Sequence, residues 1–180
     1  MKICTPEELR ERAAKIKCII SDVDGTLTDG SVIIDHKQKT YRIFNMRDGL
    51  AIGYLKKAGL KFGMITGDYS DATKAHAKKV KADYIYLDCV KKKNAIMEII
   101  DQGGYLPEEL AYIGDELIDI PALRSVGLAV AVQDAAIELN DCIHYRTKAL
   151  GGRGTLRELV ELVLKSKGVW QYIVKSYYED

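Results

Sequence analysis

Short apolar runs alternate with segments of helical periodicity along most of this chain, and this alternation limits the possible folds more than any other feature. The segment "KCIISD" is an apolar run stopped by polar residues, which suits a strand buried on both faces. The segment "DGLAIGYLKKAG" carries apolar residues at helical spacing, with Asp48 as its cap and Gly59 as its stop. Alternating strands and helices require right-handed crossovers and a parallel sheet. The sequence therefore predicts an α/β fold with a doubly wound parallel sheet.

The same pattern continues to the carboxy-terminal helix. The further predicted strands are "LKFGMITGD", "DYIYLD", "LAYIGDE", "LAVAVQ" and "CIHYRT". The further predicted helices are "YSDATKAHAKKV", "KKNAIMEIIDQGG", "IDIPALRSVG" and the amphipathic segment in "GGRGTLRELVELVLKSKG". One region differs: "SVIID" and "TYRIFN" are two β-prone runs joined by a polar turn, which predicts a β-hairpin insert at about residues 31–45.

Length and charge exclude several classes of protein. The 180 residues, 47% hydrophobic, suffice for one well-buried core, so we expect a single domain over residues 1–180. Because 27 Lys and Arg nearly balance 26 Asp and Glu, neither nucleic acid nor an anionic membrane is the expected partner. No apolar run reaches the roughly 18 residues of a membrane helix, and the first residues lack the features of a signal peptide. We therefore expect a cytoplasmic protein.

The four cysteines carry little functional signal. They are far apart in the sequence and form no C-x-x-C pair: Cys4, Cys18, Cys89 and Cys142. This spacing favours reduced thiols over a disulfide framework or a zinc site.

The segment "IISDVDGTLTDG" ends the first predicted strand with two aspartates separated by one residue, Asp22 and Asp24. Carboxylates two residues apart on a strand point the same way and repel each other, so a nearby cation is expected. Ligands of doubly wound sheets bind at the carboxyl ends of the strands. The other polar residues at predicted strand ends are Thr66, Gly67, Asp68, the lysines Lys91, Lys92 and Lys93, and Asp115 with Glu116 and Asp119.

These residue types together indicate phosphoryl transfer. Grouped carboxylates without histidine or cysteine form a hard oxygen site suited to Mg²⁺. A magnesium ion, a lysine, and a threonine followed by glycine are groups that neutralise a phosphoryl group during transfer. One aspartate can then act as the nucleophile, and the other can exchange a proton with a poor leaving group and with water.

The motifs "DVDGTLT", "ITG", a lysine after the third main strand, and "GDELID" resemble, in that order, the four motifs of the haloacid dehalogenase superfamily of phosphatases. The similarity covers nearly the whole chain. Further segments, "FNMRDGLAI", "AYIGDELIDIPALRSVG", "VAVQDA" and "GGRGTLREL", are similar to the subfamily of 3-deoxy-D-manno-octulosonate 8-phosphate (KDO 8-phosphate) phosphatases and their nine-carbon-sugar relatives.

The resemblance implies a role for each matching residue. Asp22 would be the nucleophile and a Mg²⁺ ligand, and Asp24 the general acid/base, with its backbone carbonyl also on the metal. Thr66 and the backbone N–H of Gly67 would bind the phosphoryl group. The implied phosphate-binding lysine is Lys93, which matches the family's valine-x-x-lysine pattern, although Lys91 and Lys92 remain alternatives. Asp115 would complete the metal site, supported by Glu116 and Asp119.

The resemblance also implies a homotetramer without a separate cap domain, in which the hairpin and the tail at about residues 168–180 reach a neighbouring active site. Asn45 and Arg47 would bind the substrate, although Arg47 could instead pair with Asp48 on the surface. Arg153 could reach an active site across the tetramer or simply belong to a turn. The aromatic tail could form a lid, form an oligomer contact, or be disordered.

The expected function is Mg²⁺-dependent hydrolysis of KDO 8-phosphate, as a step of KDO and lipopolysaccharide biosynthesis. Two departures from the family's sequence pattern bear on the expected substrate. The family usually has arginine where this chain has Asp68, and G-D-D where it has Gly114, Asp115 and Glu116. Alternatives are hydrolysis of a nine-carbon acid 9-phosphate, transfer of the phosphoryl group to an acceptor other than water, and an idle relative that binds a sugar-activating enzyme.

Overall fold

A computed structural model describes residues 3–179 of the protein, and its centre is a sheet of six parallel strands. The strand bounds are β1 Cys18–Ser21, β4 Lys61–Ile65, β5 Tyr84–Tyr86, β6 Leu110–Gly114, β7 Leu128–Ala131 and β8 Tyr145–Arg146. Spatially, the order is β5-β4-β1-β6-β7-β8. The predicted doubly wound parallel sheet is confirmed.

Helices cover both faces of this sheet. The helix bounds are α1 Pro6–Lys15, α2 Met46–Lys57, α3 Asp71–Lys79, α4 Lys92–Gly103, α5 Ile120–Leu123, α6 Thr155–Ser166 and α7 Trp170–Ser176. On one face the sheet packs against α1, α2, α3, α6 and α7, and on the other against α4 and α5. Alternate residues of β1 pack against the helices on opposite faces of the sheet: Ile19 packs on the first face and Ile20 on the second. No helix among residues 3–179 is both long and apolar enough to cross a bilayer.

Strand β1 lies in the middle of the sheet, with β4 on one side and β6 on the other. The chain first winds outward from β1 through β4 to β5, and then returns to continue from β6 through β7 to β8. The direction of winding therefore reverses beside β1. Ligand sites of doubly wound sheets form outside the carboxyl ends of the strands at such a reversal.

The predicted hairpin is present as a small separate sheet. Its strands, β2 Ile33–Ile34 and β3 Thr40–Tyr41, are antiparallel, and Ile33 pairs with Tyr41. The side chains of Ile33, Ile34, Tyr41 and Ile43 are exposed. A hairpin of this size is the only insert after β1 within residues 3–179, which agrees with the predicted absence of a cap domain.

The tail forms the short helix α7, which packs against α2 of the same chain. The ring of Trp170 meets the ring of Tyr54 edge-on, with 5.8 Å between centroids, and Tyr177 meets the same tyrosine at 6.0 Å. Lys57 lies 4.0 Å above the centre of the Tyr177 ring. Trp170 and Tyr177 thus pack on their own chain, whereas Tyr172 and Tyr178 are exposed.

Candidate active site

The first site residues follow β1 in a tight loop. Asp22 is buried, and its backbone N–H donates to the carbonyl of Ile113 at 2.9 Å, which extends the pairing of β1 with β6. Gly25 has φ +86°, and a Cβ built on it would lie 2.1 Å from a carboxylate oxygen of Asp115. Glycine is therefore required at position 25, because it allows the loop after β1 to approach the end of β6.

Lys92, the first residue of α4, supplies the cation beside Asp22. Its Nζ donates to Oδ1 of Asp22 at 2.5 Å and to Oδ1 of Asp119 at 2.6 Å, and its side chain is 2% exposed. Lys91 and Lys93 are exposed. Lys93, the lysine that the resemblance implied, therefore lies outside the pocket, and Lys92, one of the two alternatives, lines it. The helix begins at Lys92, and a rotation of about 100° per residue turns the next side chain away from the sheet.

Asp119 is fully buried and accepts hydrogen bonds from four residues of the site. Its Oδ1 accepts hydrogen bonds from Lys92 and, at 2.6 Å, from the hydroxyl of Tyr112. Its Oδ2 accepts from the backbone N–H groups of Asp115 at 2.9 Å and Glu116 at 3.1 Å. Both oxygens are thus occupied by donors, so Asp119 holds Lys92 and the loop after β6 in place.

Glu116 has a more local role. Its carboxylate accepts from the backbone N–H of Leu117 at 2.7 Å and caps the short 3-10 turn at Leu117–Asp119. The side chain is exposed at the rim of the pocket.

The carboxylates of Asp22, Asp115 and Asp119 are close enough to hold a metal ion, since one oxygen of each lies within 4.8 Å of the others. Burial, followed by the charge of Asp119, raises the pKa of Asp115 to about 6, and the same two causes raise the pKa of Asp22. The positive charge of Lys92 lowers both pKa values, but it is one cation beside three carboxylates. The cluster therefore favours an additional cation.

The donor chemistry fits Mg²⁺, because every candidate ligand atom in this cluster is a carboxylate oxygen. Asp119 is already saturated by its four donors. Asp22 and Asp115 are then the side chains left to bind a metal ion. The hydroxyl of Thr26 donates to Oδ1 of Asp115 at 3.0 Å and orients that carboxylate.

A pocket of about 280 Å³ opens at these strand ends. Its walls are formed by Asp22, Asp24, Thr66, Gly67, Asp68, Lys92, Asp115, Glu116 and Ile118. The hydroxyl oxygen of Thr66 accepts from the backbone N–H of Asp68 at 3.1 Å, which leaves its proton available to a ligand. The sequence had predicted that Thr66 and Gly67 lie beside the two aspartates, and the structure places them in the same pocket.

Arg42 is a site residue that the sequence reasoning missed. Its Nε donates to Oδ1 of Asp24 at 2.6 Å, and Nη2 donates to Oδ2 at 3.3 Å. The same Nη2 lies 3.0 Å from Oδ2 of Asp68. The Asp24 hydrogen bond raises the pKa of Arg42. The available signal was its position in "TYRIFN", where a single cation stands among apolar residues next to the hairpin.

The segment "FNMRDG" contributes to the fold rather than to the pocket. The Asn45 side chain caps α2 by accepting from the N–H of Arg47 at 2.9 Å, and its amide donates to the carbonyl of Gly152 at 3.1 Å. Both ends of the amide are occupied, so the geometry does not support substrate binding by Asn45. Asp48 is buried and accepts from the N–H of Arg157 at 2.8 Å. The alternative of a surface pair between Arg47 and Asp48 is therefore wrong; Arg47 is exposed.

The turn "GGRG" packs directly on the loop that carries the two aspartates. A Cβ at Gly151 would lie 1.9 Å from the carbonyl oxygen of Gly25, and the N–H of Gly152 donates to the carbonyl of Thr26 at 2.8 Å. Glycine is needed here because two backbones are in contact. Arg153 is exposed, and its guanidinium lies 3.5 Å from Asp29.

Comparison with known proteins agrees with this geometry. The haloacid dehalogenase-like hydrolase family matches residues 41–127. The chain is 36% identical over 158 residues to the 3-deoxy-D-manno-octulosonate 8-phosphate phosphatase KdsC of Yersinia pestis, covering 88% of this chain and 84% of the relative. It is 31% identical over 160 residues to the enzyme of the same name from Haemophilus influenzae, covering 89% of each.

Among solved structures, the fold is similar to the Moraxella catarrhalis 3-deoxy-D-manno-octulosonate 8-phosphate phosphatase in complex with magnesium ion, phosphate ion and KDO. The TM-score is 0.93 with 29% sequence identity, covering 96% of this chain and 99% of the other. Sequence, fold and the order of the site residues along the chain therefore lead to one conclusion. This chain belongs to the haloacid dehalogenase-like hydrolase family, in the subfamily of the KDO 8-phosphate phosphatases.

Proposed function

We propose that this chain is a Mg²⁺-dependent phosphatase that hydrolyses KDO 8-phosphate to KDO and phosphate through an aspartyl-phosphate. The observation that carries the proposal is the contact of Asp22 with Lys92 at the floor of a pocket that also contains Thr66 and Asp115. A buried carboxylate beside a lysine and an oxygen-rich metal site is suited to attack on a phosphoryl group.

In the first step an oxygen of Asp22 forms a bond to phosphorus while the bond from phosphorus to the sugar oxygen breaks. Lys92, the Thr66 hydroxyl and the N–H of Gly67 stabilise the negative charge on the phosphoryl oxygens. Asp24 gives its proton to the departing sugar oxygen, since an alkoxide is a poor leaving group.

In the second step water attacks phosphorus, the bond from phosphorus to Asp22 breaks, and Asp24 takes the proton of the water. Mg²⁺, when held by Asp22, Asp115 and the main-chain carbonyl of Asp24, supplies positive charge next to the same phosphoryl oxygens. The two steps together regenerate the free carboxylate of Asp22 and the protonated form of Asp24.

KDO 8-phosphate is the proposed substrate because curated relatives that match 88% and 89% of this chain are named phosphatases of that compound. Asp68 is the sequence feature behind the nine-carbon alternative, because relatives that act on nine-carbon acids can carry an acidic residue at this position. Its charge would also repel the phosphate or carboxylate of either substrate. In the structure Arg42 lies 3.0 Å from Asp68 and offsets this charge. The acidic residue is thus compatible with an anionic eight-carbon sugar acid.

We further propose that the protein assembles as a homotetramer. The short hairpin is the only insert after β1 within residues 3–179, and a segment of this size cannot cover the pocket alone, so a neighbouring chain would complete its walls. The exposed apolar side chains of the hairpin, Ile33, Ile34, Tyr41 and Ile43, are suited to such a contact. Arg153 is exposed and able to meet a neighbouring chain.

Light scattering coupled to size-exclusion chromatography tests this assembly, with Ile34→Lys as the disrupting variant and Lys37→Gln as a control on the same hairpin. We expect a tetramer that dissociates on the first change alone and then loses selectivity among phosphorylated sugars. A monomeric variant with unchanged selectivity would refute a role of assembly in specificity.

The function itself is tested by phosphate release with Mg²⁺ from a panel of KDO 8-phosphate, nine-carbon 2-keto-3-deoxy acid 9-phosphates and hexose phosphates. We expect the highest kcat/KM for KDO 8-phosphate, and no turnover by Asp22→Asn. The matched control Asp101→Asn, on the exposed face of α4, keeps full activity.

The other outcomes separate the alternatives. Preference for a nine-carbon acid would retain the mechanism and change the substrate. Phosphate transferred to another sugar without free phosphate would indicate a transferase. Absence of turnover on the whole panel would support an idle binding partner.

A further inference from the structure

Arg42 connects the hairpin to the active site. It directly follows β3, and its side chain is 4% exposed, whereas the neighbouring side chains of Tyr41 and Ile43 point to solvent. Successive side chains in extended backbone lie on opposite sides, which explains this difference. A guanidinium with so little access to water must find partners inside the protein.

Asp24 is the main partner. Arg42 contacts both oxygens of this carboxylate, at 2.6 Å through Nε and at 3.3 Å through Nη2. A two-point contact fixes the plane of the carboxylate as well as its position. Asp24 is also only partly covered, with a side chain 29% exposed, so packing alone does not orient it.

Asp68 contacts the same guanidinium nitrogen, Nη2, that reaches Oδ2 of Asp24. Its Oδ2 lies 3.0 Å from Nη2 of Arg42 but is not aligned for a hydrogen bond, and Nη1 of Arg42 is buried without a partner among residues 3–179. Asp24 follows β1 and Asp68 follows β4, which are adjacent strands. One guanidinium thus lies between two carboxylates from adjacent strand ends.

We propose that Arg42 is a positioning residue for Asp24, and that Asp68 holds Arg42 in place. This inference rests on the proposed phosphatase function. The shorter contact fixes Oδ1 of Asp24, and the longer one leaves Oδ2 as the oxygen that exchanges the proton. As the bond from phosphorus to the sugar oxygen breaks and the bond to Asp22 forms, that proton moves from Asp24 to the sugar oxygen.

A purely structural role for Arg42, as an anchor of the hairpin, makes a different prediction. Loss of such an anchor would lower kcat/KM for all substrates by a similar factor. Loss of orientation at Asp24 affects only leaving groups that need a proton. A sugar alkoxide needs one, whereas 4-nitrophenolate is a stable anion and leaves without it.

The test compares kcat/KM for KDO 8-phosphate and 4-nitrophenyl phosphate, because kcat/KM covers the reaction only up to departure of the leaving group. The variants are Arg42→Gln, Arg42→Lys and Asp68→Asn, with Lys37→Gln as a control that removes an exposed hairpin charge. Circular dichroism and thermal unfolding establish that each variant is folded.

For Arg42→Gln we expect kcat/KM for the sugar phosphate to fall about 10- to 100-fold, and that for 4-nitrophenyl phosphate to change by less than about threefold. Arg42→Lys keeps the charge without the two-point contact, so its loss is smaller but equally selective. Asp68→Asn gives the smallest selective loss, and Lys37→Gln gives none.

Equal losses on both substrates, or no loss on either, would overturn the inference while leaving the phosphatase function intact. If the unaltered protein prefers another sugar phosphate, the comparison is made with that compound, since only the alkoxide leaving group matters. Failure of the unaltered protein to hydrolyse any sugar phosphate would instead contradict the proposed function.

Discussion

The ammonium group of Lys92 lies 2.6 Å from the carboxylate of Asp119, and both side chains are almost or wholly inaccessible to water, at 2% and 0% exposure. Removal of one partner of such a buried pair leaves the other charge uncompensated. In this protein Asp22 shares the same lysine, so the pair also determines where the nucleophile meets its cation.

Lys92 and Lys93 form a matched pair for testing the register of α4. We expect Lys92→Met to lower kcat by about 10²- to 10³-fold, because it removes a group that stabilises transition-state charge. Lys93→Met changes an exposed neighbour and keeps kcat within about threefold of the unaltered protein. Steady-state kinetics of both variants are the measurement, and a larger effect at Lys93 would contradict the site described here.

Replacement of Asp119 by Asn tests its supporting role. In this variant Asp22 still pairs with Lys92, but one carboxylate oxygen becomes an amide nitrogen that cannot accept the hydrogen bonds made to it, so we expect the free energy of unfolding to fall by about 1–3 kcal/mol. Urea unfolding at neutral pH measures this fall. Asp101→Asn, on an exposed surface, should change stability by less than about 0.5 kcal/mol and is the control.

Asp48 gives a pH-dependent prediction remote from the proposed metal ligands. Burial raises its pKa to about 6, although the backbone N–H groups of Arg157, Gly154 and Leu156 oppose the rise. The pKa of Asp48 in the folded state thus lies above the ordinary aspartate value of 3.8, which applies in the unfolded state. The folded state therefore binds the extra proton between about pH 4 and pH 6, and stability falls as pH rises through this window.

The variant Asp48→Asn should lose this dependence. The quantity to follow is the free energy of unfolding of Asp48→Asn minus that of the unaltered protein. We expect this difference to increase by about 2–3 kcal/mol from pH 4 to pH 7, because only the unaltered protein loses stability over this range. Urea unfolding of both proteins at the two pH values measures the difference. A constant difference would show that Asp48 is ionised throughout.

Magnesium binding is expected to stabilise the fold through the carboxylates of the site. A ligand present at 100 times its dissociation constant stabilises by about 2.7 kcal/mol. We therefore expect Mg²⁺ to raise the Tm of the unaltered protein, and Asp115→Asn to abolish this shift. EDTA should stop phosphate release, and added Mg²⁺ should restore it. An equal shift of Tm in Asp115→Asn would place the metal elsewhere.

Two glycines of "GGRG" are required for different reasons, one for a close backbone contact and the other for its backbone conformation. A Cβ at Gly151 meets the carbonyl of Gly25, whereas Gly154 has φ +96° and open space around it. We expect Gly151→Ala to lower kcat/KM at least about 10-fold, since displacement of reacting groups has effects of that size. Gly154→Ala should cost about 1–2 kcal/mol of stability with kcat/KM unchanged. Kinetics and urea unfolding of the two variants test this contrast.

Several parts of the structure follow from local sequence signals. The parallel sheet and the hairpin were predictable because short apolar runs and turn residues have distinct patterns. Helix α1 was not predicted, although its start has an equally clear local signal, because Thr5 and Glu8 form a capping box with Pro6 between them. The predicted strand "CIHYRT" is reduced to Tyr145–Arg146, the two residues that pair with β7.

The remaining features depend on tertiary geometry that local patterns do not contain. Three consecutive lysines differ only in the rotation of the helix that they begin, so Lys92 could not be distinguished from Lys93 by composition. Arg42 reaches Asp24 only because the hairpin folds back over the strand ends. The tail was ambiguous for a similar reason, since the contacts of Trp170 and Tyr177 with Tyr54 of α2 are tertiary.

The contact between "GGRG" and the loop after β1 also sets an order for the appearance of activity during synthesis. Asp22 and Asp24 leave the ribosome early, but their loop is closed by Gly151 and Gly152, which emerge only after β8. A nascent chain that extends through Asp119, just after β6, holds the carboxylates of the site and still lacks the backbone that sets their loop. Phosphatase activity would therefore report that almost the whole chain has been made and folded.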